Sequence, residues 1–232
     1  MQIVLLMFQV AFGYSMKMKK LILVGGGGHC KAAIDVIEST GEYEIIGILD
    51  ASKKGQNVLG YPVIGSDHDI VLYINLGYYF LVTLGQIKSA EVRKRIFELI
   101  TEHKGLLATV VSKWAYLSKH AKIGKGSIVM HHATINAGAH VGDNCIINSG
   151  CLVEHDCVVG NHVHLSTFSV INGGCSIEDE VFIGSNVTLA NNLNIAKGVV
   201  IGAGSVVIKN VKESGIYVGN PITKKYDYTN RG

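Results

Sequence analysis

The chain of 232 residues is poor in proline, with 2, and has a single tryptophan. So little proline, beside 28 glycines with no three-residue period, excludes a collagen-like chain and a proline-rich linker. Charged residues make up 17 %, too few for general disorder in a chain that is 48 % hydrophobic. A net charge of +3, scattered along the sequence, offers no basic stripe, so no nucleic-acid partner is expected. The five cysteines form no CxxC pair and no zinc-finger spacing, and in a chain this long they make no disulfide framework. Reduced thiols and a cytoplasmic location are the expectation.

Long apolar runs are scarce as well. The stretch from Ile3 to Phe12 is about half of the ~20 residues that cross a bilayer. A secretory signal carries its positive charge ahead of the apolar run, whereas Lys17, Lys19 and Lys20 follow it. Met16 and Met18 both precede KKLILVGGGG, where an ordinary domain would begin. Residues 1–18 are therefore expected to be a non-native or flexible extension, and no membrane partner is expected.

What the chain has in abundance is a repeat. From Val111 it divides into seventeen sixes, each opened by an aliphatic residue: Val111, Leu117, Ile123, Val129, Ile135 and so on to Val207, without an insertion. The fifth place is restricted to Ala, Ser, Cys, Val or Leu, and glycine recurs in the second place at Gly124, Gly142, Gly160, Gly184 and Gly202. A helix of 3.6 residues per turn cannot use this period, because six residues would carry the apolar stripe round its circumference. A coil of three flat faces can. It puts every opener inside, with room beside it only for small or β-branched fifth-place residues. Cys145, Cys151, Cys157 and Cys175 take that place and read as core fillers. With coils ~4.8 Å apart, five to six of them form a prism about 25–28 Å long. Such a stack needs several repeats to be stable.

Ahead of the repeat lies a small α/β unit. Leu21–Val24 leads into Gly25-Gly26-Gly27-Gly28, followed by His29 and a helical pattern through Ala33, Ile34, Ile37 and Glu38. Such a turn presents backbone N–H groups that suit a phosphate, although Cys30 stands where the last glycine of GxGxxG would be. A second strand, Glu44–Leu49, ends in Asp50, placed where a ribose hydroxyl could meet it. A third, Tyr79–Leu84, precedes a helix with apolar Val92, Ile96, Leu99 and Ile100. Three or four parallel strands would make a half-Rossmann domain over 19–108. The β-helix would then occupy 109–222, with a tail over 223–232.

Chemistry is expected where an outward polar cluster interrupts the repeat. In Val153-Glu154-His155-Asp156-Cys157 the first and last residues face inward, so His155 projects outward with a carboxylate on either side. A neutral imidazole can take a proton from an attacking amine or hydroxyl, and a carboxylate on its other nitrogen stabilises the imidazolium. Glu154 and Asp156 both qualify. His164, nine residues on, could hydrogen-bond a second ligand.

The GGGGH turn, the β-helix with IINSGCLVEHDCVVG and the terminal VGNP together resemble the sialic acid O-acetyltransferase and UDP-4-amino-sugar N-acetyltransferase family (NeuD/PglD-like) from about Lys19 to Pro221. The resemblance implies a left-handed parallel β-helix behind the α/β domain. It also implies an acetyl-CoA-dependent acetyltransferase acting on a sugar amino or hydroxyl group, for surface glycan or glycoprotein biosynthesis. His155 would be the general base, supported by Asp156. His164 would contact acetyl-CoA, with backbone at Gly173, Ser185 and Ala203 beside it, and Asn148 would contact the sugar. Gly27, Gly28, His29 and Asp50 match the region that holds the nucleotide. The family's homotrimer carries its sites between subunits. Two departures stand out: Asp50-Ala51 where some members have two acids, and Gly219-Asn220-Pro221-Ile222-Thr223-Lys224 where GxPAK is common.

Two other readings compete. A metal-dependent β-helix hydratase would use histidines five residues apart, a spacing that none of the ten histidines shows, so no metal is expected. A non-catalytic trimeric module would hold a nucleotide and only assemble.

Overall fold

The computed structural model describes residues 18–226. The extension expected at the N-terminus lies, over 1–17, outside the described residues, as do 227–232.

The first sheet begins with β1 (Lys19–Val24), whose last four residues are buried on both faces, as a central parallel strand requires. Helix α1 (Gly28–Thr40) starts at the glycine turn, buries Cys30, Ala33, Ile34, Val36 and Ile37, and stops at Gly41, a left-handed C-cap. The next strands are β2 (Tyr43–Leu49), β3 (Asn57–Val58) and β4 (Tyr61–Gly65). Then come helix α2 (Ile70–Asn75), β5 (Tyr79–Val82), helix α3 (Glu91–Glu102) and β6 (Leu106–Leu107). The strand order is β3-β4-β2-β1-β5-β6, parallel except for the β3–β4 hairpin. Among the described residues the sheet therefore has five parallel strands, where three or four were expected. Helix α3 also turns a different face inward. Val92 is exposed, and Arg93 joins Ile96, Phe97 and Ile100 in the buried stripe.

From Val110 the chain winds into the prism. Its first face stacks Val110–Val111, Ile128–Val129, Ile146–Ile147, His164–Leu165, Phe182–Ile183 and Val199–Ile201. The second stacks Tyr116–Leu117, Thr134–Ile135, Leu152–Val153, Val170–Ile171, Thr188–Leu189 and Val206–Val207. The third stacks Lys122–Ile123, His140–Val141, Val158–Val159, Ser176–Ile177 and Asn194–Ile195. These are seventeen short strands for seventeen hexads, paired in parallel with a step of eighteen residues. Openers and fifth-place residues fill one core, with Ile135, Cys145, Val153, Cys157, Leu165 and Cys175 all at 0 % exposure. Burying each such aliphatic side chain contributes roughly 1.5–3 kcal/mol. Strands Gly215–Gly219 and Ile222–Tyr226 then extend the first face, so residues 223–226 are strand where a tail was expected.

The corners follow a rule. From Gly126 to Gly204 every fourth-place residue has positive φ, and most of them are Gly, Asn or Asp. These residue types enter the left-handed region at least cost.

The two units share a core. Leu23, Ala33, Ile34 and Ile37 of the first domain pack with Val110, Ile128, Met130 and Ile146 of the first prism face. The glycine turn is thereby held against one side of the prism.

Candidate active site

His155 stands at the second corner, between the second and third faces, with its side chain 63 % exposed. Asp156 occupies the left-handed fourth place at φ 60°. That conformation turns its carboxylate back, so that Oδ2 accepts from His155 Nδ1 at 2.9 Å. The same turn leaves no room above it, since a Cβ on Gly138 would run into Asp156 Oδ1. Of the two flanking acids it is thus Asp156 that engages the ring. Glu154 does not engage the ring; it accepts from the Asn136 side chain, Nδ2, at 2.8 Å and from the backbone His155 N at 3.3 Å. The hydrogen bond to Asp156 raises the His155 pKa above its ordinary value, with the charges of Asp156 and Glu154 adding to it.

The other ring nitrogen faces Gly173, one coil below. A Cβ on Gly173 would come within 2.6 Å of His155 Nε2, so only glycine lets the imidazole lie across the backbone there. The corner is tied together by Gly174 N donating to His155 O at 3.0 Å. Cys157, two residues on, points into the core and donates to Asn172 O at 3.2 Å. Its hydrogen bond with Cys175, followed by burial, holds the thiol above its ordinary pKa, so it remains a protonated core group and not a nucleophile.

Asn148 belongs to the first corner, between the first and second faces. Its Nδ2 donates to His164 Nε2 at 3.2 Å, and the His164 ring lies 6.4 Å from that of His29, centroid to centroid. Both rings are kept neutral. Burial lowers His29 to about 3, helped by His164 and Arg93, and burial lowers His164 to about 4. His29 Nε2 is buried with no hydrogen-bond partner among the described residues. Both ring nitrogens of His164 are engaged, since Nδ1 donates to Gln86 O at 2.7 Å.

At the glycine turn Asp50 holds the loop itself. Its Oδ2 accepts from Gly26 N at 2.8 Å, and Oδ1 accepts from Ser52 N and Ser52 Oγ at 2.9 and 2.6 Å. Burial alone would raise the Asp50 pKa, but the hydrogen bonds from Ser52 and Gly26 outweigh it and lower the value. Gly27 and Gly28 are open, for nothing lies within 4 Å of a Cβ at either position.

The residues singled out in the sequence thus fall into two groups. His29, Asn148 and His164 meet at the seam between domain and prism. Glu154, His155, Asp156 and Gly173 share the second corner. Ser185 and Ala203 lie on the first corner, where Gly204 N donates to Ser185 O, and so stand apart from Gly173 within one chain. Sequence reading missed Gln86, Arg93 and Asn136. The one available signal was Arg93, which occupies an inward position on an otherwise amphipathic helix.

Among the described residues no group of three or more His, Cys, Asp or Glu is arranged to hold a metal, and no helix is long and apolar enough to cross a membrane.

The PglD N-terminal domain matches residues 20–100, and the bacterial transferase hexapeptide (six repeats) matches 120–155, 138–173 and 156–191. PerB from Caulobacter crescentus, in complex with CoA and GDP-perosamine, superposes with TM-score 0.83 and 30 % identity over 91 % of this chain and 100 % of that one. The acetyltransferase domain of PglB from Neisseria gonorrhoeae FA1090, in complex with acetyl coenzyme A, superposes with TM-score 0.84 and 28 % identity over 90 % of this chain and 100 % of that one. An uncharacterized protein, L142 of Acanthamoeba polyphaga mimivirus, is 34 % identical over 120 residues, 52 % of this chain. The match spans 23 % of that curated relative's length.

Proposed function

The chain belongs to the NeuD/PglD-like family of acetyl-CoA-dependent sugar acetyltransferases, and from that premise we propose that it acetylates the amino group of a nucleotide-linked amino sugar in the cytoplasm. The observation that carries this reading is the exposed His155, held through Nδ1 by Asp156 and lying with Nε2 over Gly173.

In this mechanism acetyl-CoA and the sugar bind together. The acceptor nitrogen attacks the thioester carbonyl, and His155 Nε2 removes its proton as the C–N bond forms. The backbone N–H of Gly173, beneath the ring, polarises the developing oxyanion. The C–S bond then breaks, and the proton on His155 passes to the departing CoA thiolate. Asp156 stabilises the imidazolium meanwhile and fixes its tautomer. Gly27, Gly28 and the backbone at the start of α1 take the nucleotide phosphates. Asn148 meets the sugar, and His29 belongs with Gly27, Gly28 and Asp50 to the nucleotide region. The acceptor is assigned to the nitrogen class because PerB, 30 % identical, is held with GDP-perosamine.

The active unit in this reading is a homotrimer. Gly173 on the second corner and Ser185 and Ala203 on the first are separated by the second face, whose outward row is Tyr116, Thr134, Leu152, Val170, Thr188 and Val206. A CoA chain running along the prism would touch both sets only where the first corner of one copy meets the second corner of the next. With both of its ring nitrogens engaged, His164 meets acetyl-CoA through its backbone or ring edge.

The test is a thiol-release assay with acetyl-CoA against UDP-4-amino sugars, GDP-perosamine and free sialic acid, paired with sedimentation equilibrium. Release with a nucleotide amino sugar by a trimer is expected. Release with sialic acid alone would move the acceptor to oxygen. Nucleotide binding without release would favour the non-catalytic module, and a species that sediments only as monomer would sink the shared site.

A further inference from the structure

The seam between the first domain and the prism contains a hydrogen-bond chain whose direction can be worked out atom by atom. A carbonyl only accepts, so His164 Nδ1 carries the proton that it gives to Gln86 O at 2.7 Å. In the neutral ring Nε2 then holds the lone pair, and it accepts from Asn148 Nδ2 at 3.2 Å. Asn148 Oδ1 in turn accepts from Ser149 N at 2.8 Å. Reversing the amide would set two acceptors together at His164 and two donors together at Ser149. The face that Asn148 shows to a ligand is therefore decided from two ends, by Ser149 N–H and, through His164, by the carbonyl of Gln86.

That carbonyl sits in the connection between β5 and α3, which has no helix or strand of its own, yet Gln86 is only 3 % exposed. Its side chain is held from two sides. Oε1 accepts from Arg93 Nη1 at 2.8 Å, and Nε2 donates to Glu180 O at 3.3 Å. Arg93, 2 % exposed, donates through Nη2 to Asn144 O at 2.6 Å and to Asn144 Oδ1 at 3.1 Å. A guanidinium buried against amides and carbonyls is an expensive way to join two surfaces, since an apolar side chain of similar volume often does as well. What the guanidinium supplies and an apolar residue does not is direction.

We propose that Arg93 and Gln86 are positioning residues for acceptor binding: they seat the Gln86 carbonyl, which fixes the tautomer of His164 and through it the orientation of the Asn148 amide toward the sugar. This rests on the reading above in which Asn148 meets the sugar. Burial and the nearby Arg93 charge, by keeping His164 neutral, preserve the lone pair that the chain needs.

Gln86→Ala removes the two side-chain anchors and leaves the carbonyl in the chain. Its expected effect is a rise of about tenfold in KM for the acceptor, with KM for acetyl-CoA and kcat within about twofold of wild type. In an Asn148→Ala background the same substitution should add nothing, because the two residues act as one path. If Asn148→Ala leaves the acceptor KM unchanged, the sugar-contact reading fails. If Asn148→Ala raises it and Gln86→Ala multiplies it again, or raises both KM values together, the positioning proposal is overturned while that reading stands. A measurement on the unaltered enzyme covers the case in which Gln86→Ala does not fold. The 15N spectrum of labelled histidine should report His164 as the Nδ1–H tautomer, and an Nε2–H form would break the chain at its centre.

Discussion

The second corner of the prism and the seam under the first domain contain the same functional group in opposite surroundings. At the corner His155 stands in solvent beside a carboxylate, and its pKa is raised. In the seam burial takes His164 to about 4 and His29 to about 3, next to an arginine. The contrast matches what the proposed mechanism asks of each ring. A base must take up and release a proton within each turnover, which needs a pKa near the working pH and access to the acceptor. A ring that fixes hydrogen-bond direction must never change its protonation, and dehydration beside a cation ensures that. On the proposed reading, exposure and pKa direction together separate the residue that would move the proton from those that would aim the substrate.

The largest effect expected from this contrast comes from removing the base. His155→Ala should lower kcat by about 10²–10⁴-fold, the usual share of general acid–base catalysis. Its thermal midpoint should stay close to wild type, since the ring is mostly in solvent. Steady-state kinetics alongside a melting curve check both halves. Full activity would remove His155 from the mechanism.

Next in size is the support beneath the ring. Gly173→Ala places a methyl 2.6 Å from His155 Nε2, too close for both to stay. The imidazole must swing away, and a misplaced base should lower kcat by about 10–100-fold. Gly173 is not among the positive-φ residues, so the substitution brings no backbone strain and the fold should survive.

A smaller effect separates the two acids. The base works when neutral, so activity should rise with pH through the His155 pKa, which Asp156 holds above the ordinary 6.5. Asp156→Asn removes the main cause of that shift, and the rising limb should move to lower pH while the plateau falls by about tenfold as the imidazolium loses its partner. Glu154→Gln, whose target engages the backbone and Asn136, should leave the limb nearly in place. A kcat profile from pH 5 to 9 distinguishes them, and a larger movement for Glu154→Gln would reverse the assignment.

The corner was largely legible in the sequence and the seam was not, for physical reasons. A six-residue period dictates which side chains point inward, so Val153 and Cys157 fixed the outward direction of His155 without any coordinates. The choice between Glu154 and Asp156 lay in the left-handed φ of the fourth place, a rule visible in the spacing of Gly138, Asn144, Gly150 and Asp156 once it is looked for. The hairpin of β3 and β4 escaped because its strands are short and its turn places Leu59 at φ 48°, where glycine or asparagine would be the readable signal. In the seam Gln86, Arg93, Asn144 and His164 come from an α/β connection, a helix and two prism coils, with 78 positions between His164 and Gln86 and 51 between Arg93 and Asn144. No local period links such residues. Arg93 stands in register with Ile96, Phe97 and Ile100 on α3, but nothing near it in the chain marks its partner Asn144 on the prism.

The smallest expected effect tests whether every contact across the seam matters equally. His131 Nε2 lies 2.9 Å from Asp35 Oδ2, and His131 Nδ1 lies 2.6 Å from Ser112 Oγ, so α1 is strapped to the first coil. The geometry resembles a catalytic relay, but Ser112 is 2 % exposed and its Oγ also accepts from Trp114 N at 3.0 Å, which makes it a turn anchor. The Asp35 side chain is 69 % exposed, and pairs in such surroundings are worth about 0–1 kcal/mol. Asp35→Ala should therefore cost no more than about 1 kcal/mol of stability and leave the acceptor KM unchanged, because no step of the Gln86–His164–Asn148 chain passes through it. Denaturant unfolding and acceptor titration on one preparation check both. A marked rise in acceptor KM without loss of stability would mean that the exposed edge of the seam aims the substrate as well, and that the division between mover and positioner runs elsewhere.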